Sequence, residues 1–435
     1  MTLVEFVPPT PHPLWELCPQ MGITDVIVKV NPDLTGLADP WRYETLSSIV
    51  SRLKTAGLNV VGLEGDPFDM TPIKEYGAGK FLTGFTRFTG LKEVGTMSPD
   101  PDNPVNPVNP VKENSATLRE EALSHYRELL ESMGRLGIKL LCYNFMVGKG
   151  WSRTGVREGR GGAKATYFSL KELTPKGSDG SANASPIQNV GALAKTSDKS
   201  ELKISHDQVW ANYEYFIKAV MPTAEKWGVR MALHPDDPCL DSLGGYARIF
   251  GSIEAYDRAY ALYPSPSNAV TFCQANFKLM LGNVGCGMGN LVGASVPLDR
   301  GHAGRVPLPD IARHFGKRIA FIHVRDVEGT KEDFTELFHD QGDTDQFALV
   351  RTYRELGLDV PVRGDHVPEM AYDRVLTPEG TPGYFTLGRL FANGYLKALL
   401  QGTENAKFFS HKEHNENADS ASLRLCVKNN SVNPV

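Results

Sequence analysis

The chain has 435 residues, a net charge of −5 and a pI of about 6.2. Hydrophobic residues make up 41% and charged residues 22%, which supplies a large core and excludes wholesale disorder. No basic stripe marks a nucleic-acid surface, and no apolar run is long enough to span a bilayer.

The N-terminal stretch MTLVEFVPPTPHPLWEL lacks a basic region followed by an apolar core, so no secretory signal is expected. A first strand is expected at Leu3–Val7 and a second at Asp25–Val30. A helix over Trp41–Gly57 places Leu46, Ile49, Val50 and Leu53 on one face and stops at Gly57. The third strand is Asn59–Glu64. An insertion, Gly65–Asn114, follows; its PDPDNPVNPVNPV segment reads as extended or disordered. The next helix, Ser115–Gly137, aligns Leu118, Ala122, Tyr126, Leu129, Leu130 and Met133, with Ser115 as N-cap. The fourth strand is Lys139–Phe145. A second insertion, Gly148–Lys199, is rich in Gly, Ser, Lys and Ala and reads as a mobile loop in its middle.

A helix over His206–Gly228 leads into the fifth strand, Arg230–His234. The sixth strand is Val270–Cys273. The segment GNVGCGMGN, Gly282–Asn290, has glycine spacing like a dinucleotide loop but ends in Asn, and it reads as a flexible loop. The seventh strand, Ile319–Val324, precedes a helix over Asp345–Gly357. The eighth strand is Val360–Arg363, and the last helix is Thr386–Gln401. Residues 402–435 read as a disordered tail. Three helices end in Gly just before a strand, in LKTAGLNVV, MGRLGIKLL and AEKWGVRMAL, which is the helix-to-strand half of a repeated βαβ unit.

Eight strands alternating with helices leave a (β/α)8 TIM barrel or a doubly wound sheet. The number of strands, and the lack of GxGxxG after the first, favour the α/β TIM barrel. It is expected as one catalytic domain, residues 1–401, with insertions at about 65–114 and 148–199. The six cysteines are scattered with no CxxC, so no disulfide framework is expected. A soluble, cytoplasmic protein is the expectation.

Barrel chemistry sits at the C-terminal ends of the strands. There the chain offers Asn144 on strand four, His234 on five and Cys273 on six. Strand seven adds His323 and Arg325, and strand eight Arg363, Asp365 and His366. Singly, Cys273 reads as a small buried hydrophobe, His323 as a core histidine, and His234 as a turn cap with Asp236 beside it. Together, polar groups at four consecutive strand ends are not a packing pattern. They read as metal ligands: His, Cys, His, and Asp365 or His366. The remaining histidines (His12, His125, His206, His302, His314, His411 and His414) read as surface residues.

The residues LLCYNFMVGKGWSRT, MALHPDDP, SPSNAVTFC, FIHVRDV, FTELFHDQGDTD, PVRGDH and PGYF occur in this order along most of the chain. In this the chain resembles the mannonate dehydratases, metal-dependent sugar-acid lyases related to the xylose-isomerase-like barrels. The resemblance implies metal ligands at His234, Cys273, His323 and Asp365. It implies substrate-site positions at Arg363 and His366, the PGY tyrosine at Tyr384, and a Trp-x-Arg-Thr segment at Trp151, Arg153 and Thr154. Arg363 is expected to clamp the substrate carboxylate, with Asn144, Trp151, Arg153 and Arg325 around the substrate and His339 and Asp343 over its polyol end. Tyr384 and His366 are the expected general acid and base, in unassigned order, beside the implied ligand Asp365.

The implied cofactor is a divalent metal, Mn2+ or Fe2+. The implied reaction takes D-mannonate to 2-dehydro-3-deoxy-D-gluconate in hexuronate (glucuronate) breakdown. A related aldonic-acid dehydratase, a sugar isomerase or epimerase on the same barrel, and a catalytically weak sugar-acid-binding homologue are the alternatives. The expected partner is a small-molecule sugar acid, with a homo-oligomer left open. The chain departs from the family at Gly364, where Pro is usual, and at Thr335, where His is usual. It also reads HPDDPCL for HPDDPPW, and FTLGRL after Tyr384.

Overall fold

The computed structural model describes residues 1–30, 39–78, 115–148, 150–173, 203–281 and 308–413, with side chains through 404. The asparagine–proline repeat, the Gly282–Asn290 segment, and the expected tail from 414 onward lie outside them.

The strands close into a barrel, and the first strand does the closing. It is broken in two at Val4. Thr2–Leu3 pairs parallel with the eighth strand, Pro361–Gly364. Glu5–Val7 pairs parallel with the second, Asp25–Lys29. The wall then runs through Asn59–Glu64, Leu140–Tyr143, Arg230–Leu233, Asn268–Cys273 and Ile319–Val324. Every pairing in the wall is parallel. The eight-stranded barrel read from the sequence is therefore the fold, with strand ends shifted by one or two residues.

The barrel interior is filled by Val4, Ile27, Leu140, Cys142, Ala232, Ala269, Ala320 and Phe321. Side chains alternate along a strand with a period of two. Two residues beyond Cys142, Ala232, Thr271 and Phe321 stand Asn144, His234, Cys273 and His323. Residues that continue the inward face of the strands thus become the floor of the mouth. Outside the wall, Ser115–Arg135 and His206–Trp227 pack side by side. Ser205 caps the second of these helices by accepting from Gln208 N at 3.2 Å, and Gly228 ends it at φ +63°.

Two expectations are corrected, and the second insertion gains structure at its start. There Gly155–Glu158 and Lys164–Ser169 form a hairpin, while the rest of the insertion from residue 174 on lies outside the described residues. This hairpin joins a second one, Val327–Thr330 and Asp333–Glu336, in a four-stranded antiparallel sheet beside the barrel mouth. Phe168 stacks on Phe334 across the join at 5.8 Å, an apolar contact that links segments far apart in sequence. The last helix runs from Thr386 to Glu413, beyond the expected end at Gln401, because nothing in AKFFSHKE breaks a helix. His12, His125, His206 and His314 are half-buried rather than superficial; His125 stacks on Trp41 at 4.3 Å.

Gly134 marks the closest approach of the two long helices. A Cβ built there would stand 2.5 Å from Trp227 Cβ, too close for any real pair. Alanine would gain about 1 kcal/mol of helix propensity, but the overlap costs about 1–3 kcal/mol. Gly134→Ala is therefore expected to lower the urea or thermal unfolding midpoint. A raised midpoint would show that the helices have room to separate.

Candidate active site and metal centre

The ligand atoms of His234, Cys273, His323 and Asp365 all lie within 4.8 Å of one another. They come from four consecutive strands whose register aligns them: Cys273 pairs with His323, and His323 with Arg363. His234 Nδ1 stands 2.8 Å from the carbonyl of Pro235. A carbonyl only accepts, so Nδ1 carries the hydrogen and Nε2 is left to bind a metal. His323 is fully buried, and neither ring nitrogen makes a hydrogen bond. The nearest carboxylate oxygens, of Asp365 at Nδ1 and Glu64 at Nε2, stand 3.6 Å away. A buried imidazole with no partner is costly, and a metal ion resolves that cost.

Burial pushes the Cys273 thiol up, but His234, His323 and Arg325 outweigh it and bring its pKa down to about 5. Burial likewise opposes ionisation of Asp365, yet His366, Arg363 and His323 hold it well below the usual carboxylate range. Two imidazoles, a thiolate and a carboxylate are a donor set that fits a divalent first-row metal. A second group, Glu64, Cys142 and His323, lies within the same spacing. It shares His323, and its Glu64 is already bound by Arg363. Glu64 thus reads as the carboxylate that orients His323 from behind.

Beside the ligands stand His366 and Tyr384. His366 Nε2 lies 2.9 Å from the Tyr384 hydroxyl, which also stands 3.3 Å from Asp365 Oδ1. Burial, then the Asp365 charge, push Tyr384 well above its ordinary pKa, so it keeps its proton. Trp151 lies edge-on to both rings, with centroids 5.3 Å from His366 and 6.5 Å from Tyr384. Asn144 uses its side-chain oxygen on Lys74 Nζ and Met146 N, both at 3.1 Å. Its amide nitrogen has no hydrogen bond among the described residues. These residues stand together as the sequence implied.

The three expected substrate arginines do not. Arg363 is 1% exposed and spends itself on Glu64, through Nε at 3.2 Å and Nη2 at 2.6 Å, and on Asp365 Oδ1 at 2.9 Å. It holds Glu64 down to about 2 against the effect of burial, and the carboxylates it grips are the chain's own. Arg153 and Arg325 are equally buried. Arg153 is bidentate on Asp237, at 2.8 and 2.9 Å. Arg325 is bidentate on Glu336, at 2.8 and 2.7 Å. Arg153 also reaches Glu336, and Arg325 also reaches Asp237. Four charges, two of each sign, thus neutralise one another. Ligands for substrate cannot be drawn from that set without leaving a buried charge unpaired.

His339 and Asp343 are likewise engaged with other groups of the chain. His339 is buried, with Nε2 donating to Val324 O at 2.8 Å. Asp365 N donates to the same carbonyl at 2.9 Å, so His339 braces the strand behind the metal ligand. Asp343 is 66% exposed and pairs with Lys278. The departures fall on the same backing layer. A Cβ at Gly364 would meet His339 Nε2 and Ala392 Cβ at 3.2 Å, so this packing suits glycine. Thr335 alternates with Glu336 on its strand and bonds Arg157 at 3.2 Å, on the face turned from His366.

Sequence reasoning missed Glu64, Asp237 and Glu336. Glu64 carried a readable signal, since it ends the third strand just as His234 follows the fifth. Asp237 sat inside a quoted motif, assigned to nothing. Glu336 carried no such signal, because it belongs to a hairpin rather than to the barrel.

The D-mannonate dehydratase (UxuA) family profile matches residues 102–288 and 300–410. A mannonate dehydratase from Streptococcus equi subsp. zooepidemicus is 29% identical over 303 residues, 66% of this chain and 74% of its own. One from Brachyspira hyodysenteriae is 26% identical over 398 residues, 88% and 92% of the two chains. The crystal structure of mannonate dehydratase from Streptococcus suis serotype 2 superposes with a TM-score of 0.65 at 22% identity, covering 94% of this chain and 96% of its own; it shows the shared fold. With the family profile matched across the ligand-bearing strands, this chain belongs to the D-mannonate dehydratase family.

Proposed function

We propose that the protein dehydrates D-mannonate to 2-dehydro-3-deoxy-D-gluconate, with Mn2+ or Fe2+ held by His234, Cys273, His323 and Asp365. The observation that carries this reading is the four-ligand cluster standing against the His366–Tyr384 pair. The reaction removes the proton at C2, beside a carboxylate, and expels the C3 hydroxyl. A bound divalent metal would stabilise the negative charge that develops next to that carboxylate.

The chain's own residues supply the rest. His366 and Tyr384 are the two groups able to move protons at the mouth, one from C2 and one to the leaving hydroxyl. Trp151 walls one side of the pair. The amide of Asn144 is the open polar group at the end of the fourth strand. Arg363 does not by itself distinguish an acid from a neutral sugar, because it is bound to Glu64 and Asp365. Family membership now carries that choice and makes the protein a hydro-lyase. Hexuronate breakdown in the cytoplasm is the setting that this reaction suggests.

Two results are expected. Metal-loaded wild type forms a 2-keto acid from D-mannonate. His234→Ala loses both metal and turnover, whereas Tyr384→Phe keeps its metal and falls by about 10²–10⁴-fold in kcat. Turnover that survives exhaustive chelation would overturn the metal-dependent reading. The second concerns Cys273. A group with a depressed pKa is ionised above that value and protonates only below it. The metal-free protein at pH 7 should therefore show ultraviolet thiolate absorbance, lost in Cys273→Ser. Acidification should abolish it with a midpoint of about 5, and metal affinity should weaken through the same range. A midpoint near the ordinary thiol value of about 8.5 would show that the thiolate forms only on metal binding.

A further inference from the structure

His366 has two ring nitrogens and three neighbours, and the neighbours decide which nitrogen carries the hydrogen. Nδ1 lies 3.0 Å from Glu336 Oε1 and 3.1 Å from Arg153 Nη2. Nε2 lies 2.9 Å from the Tyr384 hydroxyl. If Arg153 donated to Nδ1, the hydrogen would sit on Nε2.

A guanidinium has five N–H groups, and Arg153 has used all five elsewhere. Its Nε donates to Glu336 Oε1 at 3.1 Å. Its Nη1 donates to Ser152 O and Asp237 Oδ1, both at 2.8 Å. Its Nη2 donates to Asp237 Oδ2 at 2.9 Å and Glu336 Oε1 at 2.6 Å. None is left for His366. Glu336 is an ionised carboxylate, held so by Arg325 and Arg153 against the effect of burial, and it only accepts. Nδ1 is therefore the donor. The Tyr384 hydroxyl has one hydrogen to donate, and Nε2 at 2.9 Å is a nearer acceptor for it than Asp365 Oδ1 at 3.3 Å, so Nε2 keeps its lone pair.

We infer that Glu336 is a positioning residue that holds His366 in its Nδ1–H tautomer and so presents the Nε2 lone pair to Tyr384 and the substrate. The inference rests on the His366–Tyr384 acid–base reading given above. The backbone supports it: His366 sits at φ +40°, in the left-handed region, so tertiary contacts and not local preference place the ring.

The tautomer assigns the two proton transfers. Nε2 takes the C2 proton, and the C2–H electron pair becomes the C2–C3 double bond as the C3–O bond breaks. The Tyr384 hydroxyl hydrogen leaves with that oxygen as water. The proton on Nε2 then passes to the Tyr384 oxygen across their 2.9 Å contact. The enol product moves its hydroxyl hydrogen to C3, giving the 2-keto, 3-deoxy acid.

The decisive readout is on the wild type. The protein would be labelled with 15N-histidine, loaded with diamagnetic zinc, and its ring nitrogens read by NMR. The His366 signal would be assigned by its loss in His366→Gln. A proton on Nδ1 with Nε2 bare is expected; a proton on Nε2 overturns the inference. A second arm compares Glu336→Gln with Glu336→Asp at saturating metal. Glu336→Gln is expected to lower kcat by about 10²–10⁴-fold, with KM for D-mannonate and metal stoichiometry within about twofold. Glu336→Asp is expected to recover part of the loss. Unchanged kcat in folded, metal-replete Glu336→Gln also overturns it. If Glu336→Gln fails to fold, the wild-type spectrum still decides. Failure of wild type to turn over D-mannonate would strike the functional reading, and the tautomer measurement stands apart from it.

Discussion

The site depends on one buried set of charges. Arg153, Arg325, Asp237 and Glu336 are each at most 1% exposed and bond only one another and their immediate neighbours. Each comes from a loop beyond the barrel wall: one after strand four, one after five, two after seven. Burying four charges is costly, and the balance of two against two makes it tolerable. Removing any one leaves an unpaired charge in the interior, a loss of about 3–5 kcal/mol. The set therefore fastens these segments to one another beside the barrel mouth.

Both halves of the chemistry lean on that fastener. Arg325 reaches Asn276 Oδ1 at 2.6 Å and stands 3.7 Å from Cys273 Sγ, so it helps keep the thiolate charged. Glu336 reaches His366 on the opposite side. A parallel arrangement serves His323, where Arg363 holds Glu64, and Glu64 faces the imidazole from behind. Arginine suits this role because its planar fork fits a carboxylate and stays charged when buried. Arg153, Arg325 and Arg363, which read as anion clamps in the sequence, each grip carboxylates of the chain itself.

The departures from the family pattern have a consistent position. Gly364 is shaped by the His339 ring and Ala392 behind it, and Thr335 faces Arg157 on the outer side of the hairpin. Gly364 adjoins Asp365 in the chain but presents no side chain to the site, and Thr335 bonds Arg157. At these two positions the chain varies in the layer behind the mouth.

The sequence by itself determined the barrel and its rim, and it pointed to the His, Cys and Asp side chains that cluster there. The strands were legible because period-two alternation and Gly-terminated helices are local signals. His234, Cys273, His323 and Asp365 were legible because the wall's inward face runs straight off its strand ends into the mouth. What only the tertiary structure decided was who pairs with whom. Arg153 and Glu336 are 183 positions apart, and Glu64 and Arg363 are 299 apart. No local pattern records such a contact. An arginine reads the same in sequence whether it faces a substrate or a buried carboxylate. The difference lies in the desolvated partner, and that partner is supplied by folding alone.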